Sequence, residues 1–173
     1  MFYLPTKVPT PRNFAGSNAA IMNLPKYPVV AIPEQNMYQF YSEGPRGMIR
    51  KVILYQTMGN DQFNLGFGDW NEELQKMDDS VRSNNGDRDK VLATVAYTAL
   101  DFSARFPGAQ IFVEGSTASR TRLYQIGIAS NILKIRNDFE VFGLFNESWQ
   151  YFQLNRNYEA FLIQRKQLLK FTT

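Results

Sequence analysis

The chain has no cysteine and no histidine. Without cysteine there is no disulfide, no thiol nucleophile and no thiolate metal site. Without histidine there is no Ser-His-Asp triad, no imidazole acid–base step and no His-ligated zinc. Any catalysis must rest on carboxylates, Lys, Arg, Tyr, Ser or Thr, with Mg²⁺ or Mn²⁺ on oxygen ligands as the metal option. No cofactor and no resident metal are expected. An apolar run of about 18 residues is also missing, so neither a membrane span nor a membrane partner is expected. The N-terminus shows no basic leader followed by a continuous apolar stretch, which points to the cytoplasm. Proline is scarce after residue 33. Pro5, Pro9, Pro11, Pro25, Pro28 and Pro33 account for six of the 8 in the chain. Proline at that density denies the backbone helix and central-strand geometry. Residues 1–21 are therefore expected to form a flexible extension, and 22–173 a single domain.

What is present describes a folded globule. The 173 residues fit one domain with a real core, and 44% hydrophobic with 14% aromatic residues is not the composition of a disordered tail. The net charge of +3 is mildly basic. It permits a polyanionic partner but falls short of the dense Lys/Arg patches of nucleic-acid binders.

Hydrophobic periodicity supplies the elements. Residues 37–43, 48–56 and 62–69 alternate or run β-branched, with turn signals at Gly44–Gly47 and Gly59–Asp61 between them, which predicts an antiparallel meander. Residues 70–85 are polar and read as a surface loop with one helical turn near 72–76. Val91, Val95, Ala99, Phe102 and Phe106 then mark a helix that Asp87 or Asp89 can cap and Pro107-Gly108 ends. A short strand at 110–114, a second helix over 117–137, and a hairpin of 139–145 with 149–154 follow. Residues 158–165 read as a further strand, and the last residues as a short helix. The predicted class is α+β: a mixed, mainly antiparallel sheet in the order β-β-β-α-β-α-β-β with two helices on one face. That order is also the topology of a ribonuclease-H-like domain.

Four groups of residues carry candidate chemistry. The first is the strand-to-helix turn at 115–122. Ser116, Thr117, Ser119 and Thr121 can cap or donate there, and Arg120 and Arg122 fall in the first helical turn. Cations are unfavourable at that positive end, so two of them imply an acidic partner or a bound anion such as phosphate. The rival reading is that the arginines pair with Glu43, Asp69 or Glu114. The second group is the carboxylates Glu43, Asp69, Asp87, Asp89 and Glu114. In a ribonuclease-H arrangement, acids of the first strand, first helix and fourth strand would converge on two metals. The third is Arg46, Arg50 and Lys51. Arg50 and Lys51 point to opposite faces and read as solvated or edge-protecting charges. The fourth is Gly66 and Gly68, which strip one strand face of side chains. Something must approach there, and a helix is the expected neighbour.

The segments SEGPRGMIRKVILYQ, NLGFGDW, NNGDRDKVLATVA, EGSTASRTRLYQIGI and NYEAFLIQRK together resemble a family of uncharacterised proteins of about 150 residues, common in Bacteroidota. The resemblance spans about residues 22–166 and implies no activity. The accessory-gene context of such proteins implies a toxin–antitoxin or phage-defence setting. The expected function is non-enzymatic binding, with an anion site at Ser116, Thr117, Ser119, Arg120 and Arg122. The partner would be a phosphate-containing ligand, a nucleic acid or an acidic protein surface. The alternatives are a nuclease using carboxylates with Mg²⁺ or Mn²⁺, and a structural homo-oligomer.

Overall fold

A computed structural model describes residues 20–81 and 83–166. The short C-terminal helix expected over the last residues lies outside these, as does all but the end of the expected 1–21 extension. Ile21 is described, in a 3-10 turn over Ala20–Asn23, and it is fully buried.

The architecture is α+β. The strands are β1 (Val30–Ile32), β2 (Met37–Gly44), β3 (Gly47–Gly59), β4 (Gln62–Asn71), β5 (Lys76–Asp78), β6 (Gln110–Val113), β7 (Phe139–Phe145), β8 (Ser148–Tyr151) and β9 (Phe161–Arg165). Two helices, α1 (Arg88–Arg105) and α2 (Ala118–Asp138), flank β6 in sequence. The sheet runs β1-β2-β3-β4-β6-β9-β7-β8, with β5 on the far half of β4. The pairing of β4 with β6 is parallel, and the other pairings among the described residues are antiparallel. The expected meander is therefore β2-β3-β4. It is extended by β1 and β5, two strands of three residues each, too short to show a period.

In the ribonuclease-H reading the first strand of the meander would lie next to the crossover strand. Here the third one, β4, holds that place, and β2 is two strands further out. The helical turn expected near 72–76 is an ordinary turn leading into β5. The neighbour of Gly68 is likewise not a helix. A Cβ there would lie 2.5 Å from the Asp78 carbonyl oxygen, so it is the chain leaving β5 that needs the glycine.

Both helices cover one face. Tyr38, Phe40, Ile53, Tyr55, Phe63, Leu65, Ile111 and Val113 point from the strands into one cluster with Val91, Phe102, Ile128 and Ile132 of the helices. The opposite face carries a smaller cluster of Phe112, Phe142, Ala160 and Leu162. Phe102 is fully buried and stacks on Tyr55 with ring centroids 4.1 Å apart. No helix among the described residues is long and apolar enough to cross a membrane.

Two core phenols tie the sheet to α1. Tyr38 donates to Asp101 at 2.5 Å and accepts from Arg105 at 2.7 Å, and Tyr55 shares a 2.9 Å hydrogen bond with Thr98. Burial pushes both hydroxyls above their ordinary pKa of 10.0, and for Tyr38 the bond to Asp101 pushes the same way. A pKa raised in the folded state means that stability is complete below the unfolded value and is lost as pH climbs past it. The unfolding free energy from urea titrations is thus expected to hold up to about pH 10 and fall steeply above. In Tyr38→Phe that alkaline slope should be shallower. An equal slope would assign the loss to other groups.

Candidate functional site

The helix-facing side of the meander changes character along its length. Near α1's C-terminal half it is aromatic and aliphatic. Toward the other end the inward positions become Ser42 on β2, Lys51 on β3 and Asp69 on β4. Phe40, Lys51 and Asp69 are cross-strand neighbours in one row. This polar end lies at the C-terminal ends of the parallel strands β4 and β6, and both helices start after those ends. In open sheets with crossovers that is where ligands bind, because loops and helix N-termini converge there.

A pocket of about 370 Å³ occupies this position. Its floor is Lys51, Asp69 and Ser83, its lip Val81 and Leu123, and its charged rim Arg88 and Arg120. The Lys51 ammonium donates to Asp69 and to Ser83 and lies 5.9 Å from the Phe67 ring centroid. Ser83 in turn reaches Asp69 at 3.4 Å. With 8% of the Lys51 side chain and 15% of the Asp69 side chain exposed, this is an interior ion pair. The third group of the sequence reading is therefore revised. Arg50 is the surface charge, stacked on Trp70 and bonded to Gln39 and Glu72, while Lys51 is buried. The signal was present as parity: Lys51 and Asp69 occupy inward positions of strands whose other inward residues are apolar.

Residues 83–87, with Val81, form the pocket's outer wall. Asn85 pins it, donating to Ser42 and the Gly47 carbonyl, both at 3.0 Å, and accepting from the Arg46 amide. Gly44 admits the crossing, since a Cβ there would fall 1.9 Å from the Asn85 carbonyl oxygen. Asp87 stands at the N-cap of α1 but makes no capping hydrogen bond. Its carboxylate instead accepts from Ser42 at 2.6 Å and Tyr27 at 2.7 Å. The first-turn amides of α1 are thus left without their usual side-chain acceptor, beside Arg88.

The turn before α2 behaves differently. Thr117 caps the helix by accepting from the Arg120 amide. Thr121 accepts from the Gly115 amide and donates to the Thr117 carbonyl. Ser116 reaches the Asp79 carbonyl at 3.5 Å, and Ser119 is exposed. The Arg120 guanidinium donates to the Val81 carbonyl at 2.6 Å and enters the pocket rim beside Tyr124. Burial raises the pKa of the Tyr124 hydroxyl, against the opposing pull of Arg120, so it remains a neutral phenol. Arg122 bonds Asn157 and does not line the pocket. The two arginines are not brought together, and neither forms an ion pair with a carboxylate among the described residues.

Of the expected acidic partners, Asp69 belongs to Lys51, while Glu43 and Glu114 have exposed side chains. Glu43 contributes its backbone, whose amide and carbonyl bond the Tyr27 hydroxyl. Among the described residues no three acidic side chains come close enough to hold a metal ion.

The arrangement can do two things chemically. Cations and an uncapped helix start at the mouth can hold an anion; of the acids nearby, Asp69 is occupied by Lys51, Asp87 by hydroxyls and the exposed Asp89 by Arg88 at 3.4 Å. The buried lysine can also donate a hydrogen bond at the floor. No curated protein and no solved structure matches the chain. The model of a family of unknown function, DUF6934, does match over residues 23–166, and the chain belongs to that family.

Proposed function

We propose that the protein binds a small phosphate-bearing ligand in the pocket between β3, β4, residues 83–87 and the starts of α1 and α2. The observation that carries this reading is the diverted N-cap of α1. Asp87 turns to Ser42 and Tyr27, and the amides of the first turn are left beside Arg88, with Arg120 across the pocket. Uncapped amides and the positive end of the helix dipole favour an anion, and arginine recognises phosphate with paired donors. Part of the site expected at the α2 turn is retained through Arg120, but the helix start that receives the ligand is that of α1. A pocket of about 370 Å³ is the size of a small-molecule site, which favours a compact ligand over a polymer.

Isothermal titration calorimetry with inorganic phosphate tests this. The unaltered protein should show saturable binding, weakened at least tenfold by Arg88→Ala with Arg120→Ala. A lost hydrogen bond to a charged group is worth about 1.5–3 kcal/mol. Arg122→Ala should bind as the unaltered protein does. Equal affinity in the double variant, or no phosphate binding at all, would sink the reading.

A further inference from the structure

A second, partly open cavity adjoins the first. It occupies about 90 Å³ between the two helices and the sheet, lined by Leu65, Val95, Ala96, Ile128, Ile135 and Phe139 among others. Its walls are apolar, and the one amide side chain there, Asn131, donates to the Gly127 carbonyl of its own helix. The two compartments share Phe67 and Tyr124. On one side of these rings stand Lys51, Asp69 and Arg120, and on the other aliphatic and aromatic side chains with the single Asn131 amide. Phe67 is partly buried and held by stacking against Phe40, centroids 6.4 Å apart. The Tyr124 ring sits on the first turns of α2, with Arg120 one turn before it.

We infer that the ligand is amphiphilic: a phosphate monoester whose head lies among Arg88, Arg120 and the start of α1, and whose short apolar substituent passes between Phe67 and Tyr124 into the inner cavity. This rests on the phosphate reading above and adds the substituent. An empty apolar cavity is costly, because the groups lining it lose dispersion contacts, and filling one with hydrocarbon is favourable. Since an apolar cavity of about 150 Å³ accommodates benzene, this one takes a chain of roughly four carbons. A full-length lipid tail does not fit. The inner compartment therefore selects for a short alkyl or small branched group.

The test is a calorimetric series with inorganic phosphate, methyl phosphate, butyl phosphate and octyl phosphate. Burial of each methylene is worth about 0.8 kcal/mol, about fourfold in Kd. Butyl phosphate should thus bind tens of times more tightly than methyl phosphate, and octyl phosphate should gain nothing beyond butyl. Ala96→Leu fills the inner cavity and should abolish the chain-length gain while inorganic phosphate binds as before. If that variant fails to fold, the series on the unaltered protein decides alone. Equal Kd for methyl and butyl phosphate, or a gain that continues to octyl, overturns the inference and leaves the phosphate reading standing. Absence of binding by inorganic phosphate and all three esters overturns both.

Discussion

Lys51→Met is expected to lower the unfolding free energy by about 3–5 kcal/mol, because it strands the Asp69 carboxylate in the interior without its counter-charge. Neither side chain of the pair is more than 15% exposed, so water replaces the lost partner only in part. For a domain of this size that loss lowers Tm by roughly 6–20 °C. Lys51→Met with Asp69→Leu should recover most of it, since removing both charges removes the desolvation cost with the attraction. Arg50→Met serves as the contrast. Arg50 also has a carboxylate partner, Glu72 at 3.1 Å, but the Glu72 side chain is 64% exposed. An exposed pair contributes about 0–1 kcal/mol. Chemical denaturation of the four proteins distinguishes the cases. If Lys51→Met costs no more than Arg50→Met, the floor of the pocket is wetter than its burial indicates.

Phe102→Ala should cost about 3–5 kcal/mol, the range for removing a fully buried aromatic ring. The ring is held on three sides. It stacks on Tyr55 at an interplanar angle of 7°, meets Phe63 edge-on at 4.9 Å and touches Phe106 at 4.7 Å. Those neighbours belong to β3, β4 and the end of α1, so they cannot all close on the void together. Phe106 is 37% exposed, and Phe106→Ala should cost markedly less. Phe102 stands at the far end of the helix-facing surface from the pocket lined by Lys51 and Asp69. Phosphate affinity of Phe102→Ala, measured well below its Tm, should therefore equal that of the unaltered protein. A loss below about 1.5 kcal/mol in a denaturation experiment would show that the site collapses, contrary to the packing.

The range and identity of the longer elements were legible from local pattern. Residues 62–69 alternate, and β4 covers them. Phe139–Phe145 is bounded by the Asn146-Glu147 turn, and both turn residues adopt the positive φ that a tight hairpin demands. The family resemblance read over about 22–166 agrees with the matched range of 23–166. The candidate site was half legible. Arg120 was found from its odd place at a helix start, and it does reach the pocket. Arg122, two residues on, is rotated about 200° around a helix of 3.6 residues per turn and faces Asn157 instead. Lys51 was missed because charge in a strand reads as solvent-facing unless its cross-strand partner is known.

By composition and local period alone, the chain excludes thiol and imidazole chemistry and specifies an α+β domain with two helices and a leading meander. These properties depend on residues within one or two turns of each other, so no long-range information is needed. The burial of Lys51 was decided by tertiary structure, through the register that sets it opposite Asp69 and brings Ser83 over both. So was the choice of helix start: Asp87 could have capped α1, but Ser42 and Tyr27, 45 and 60 residues away, claim its carboxylate. Contacts at such separations follow from sheet order and crossover, which the local pattern of a single chain does not encode.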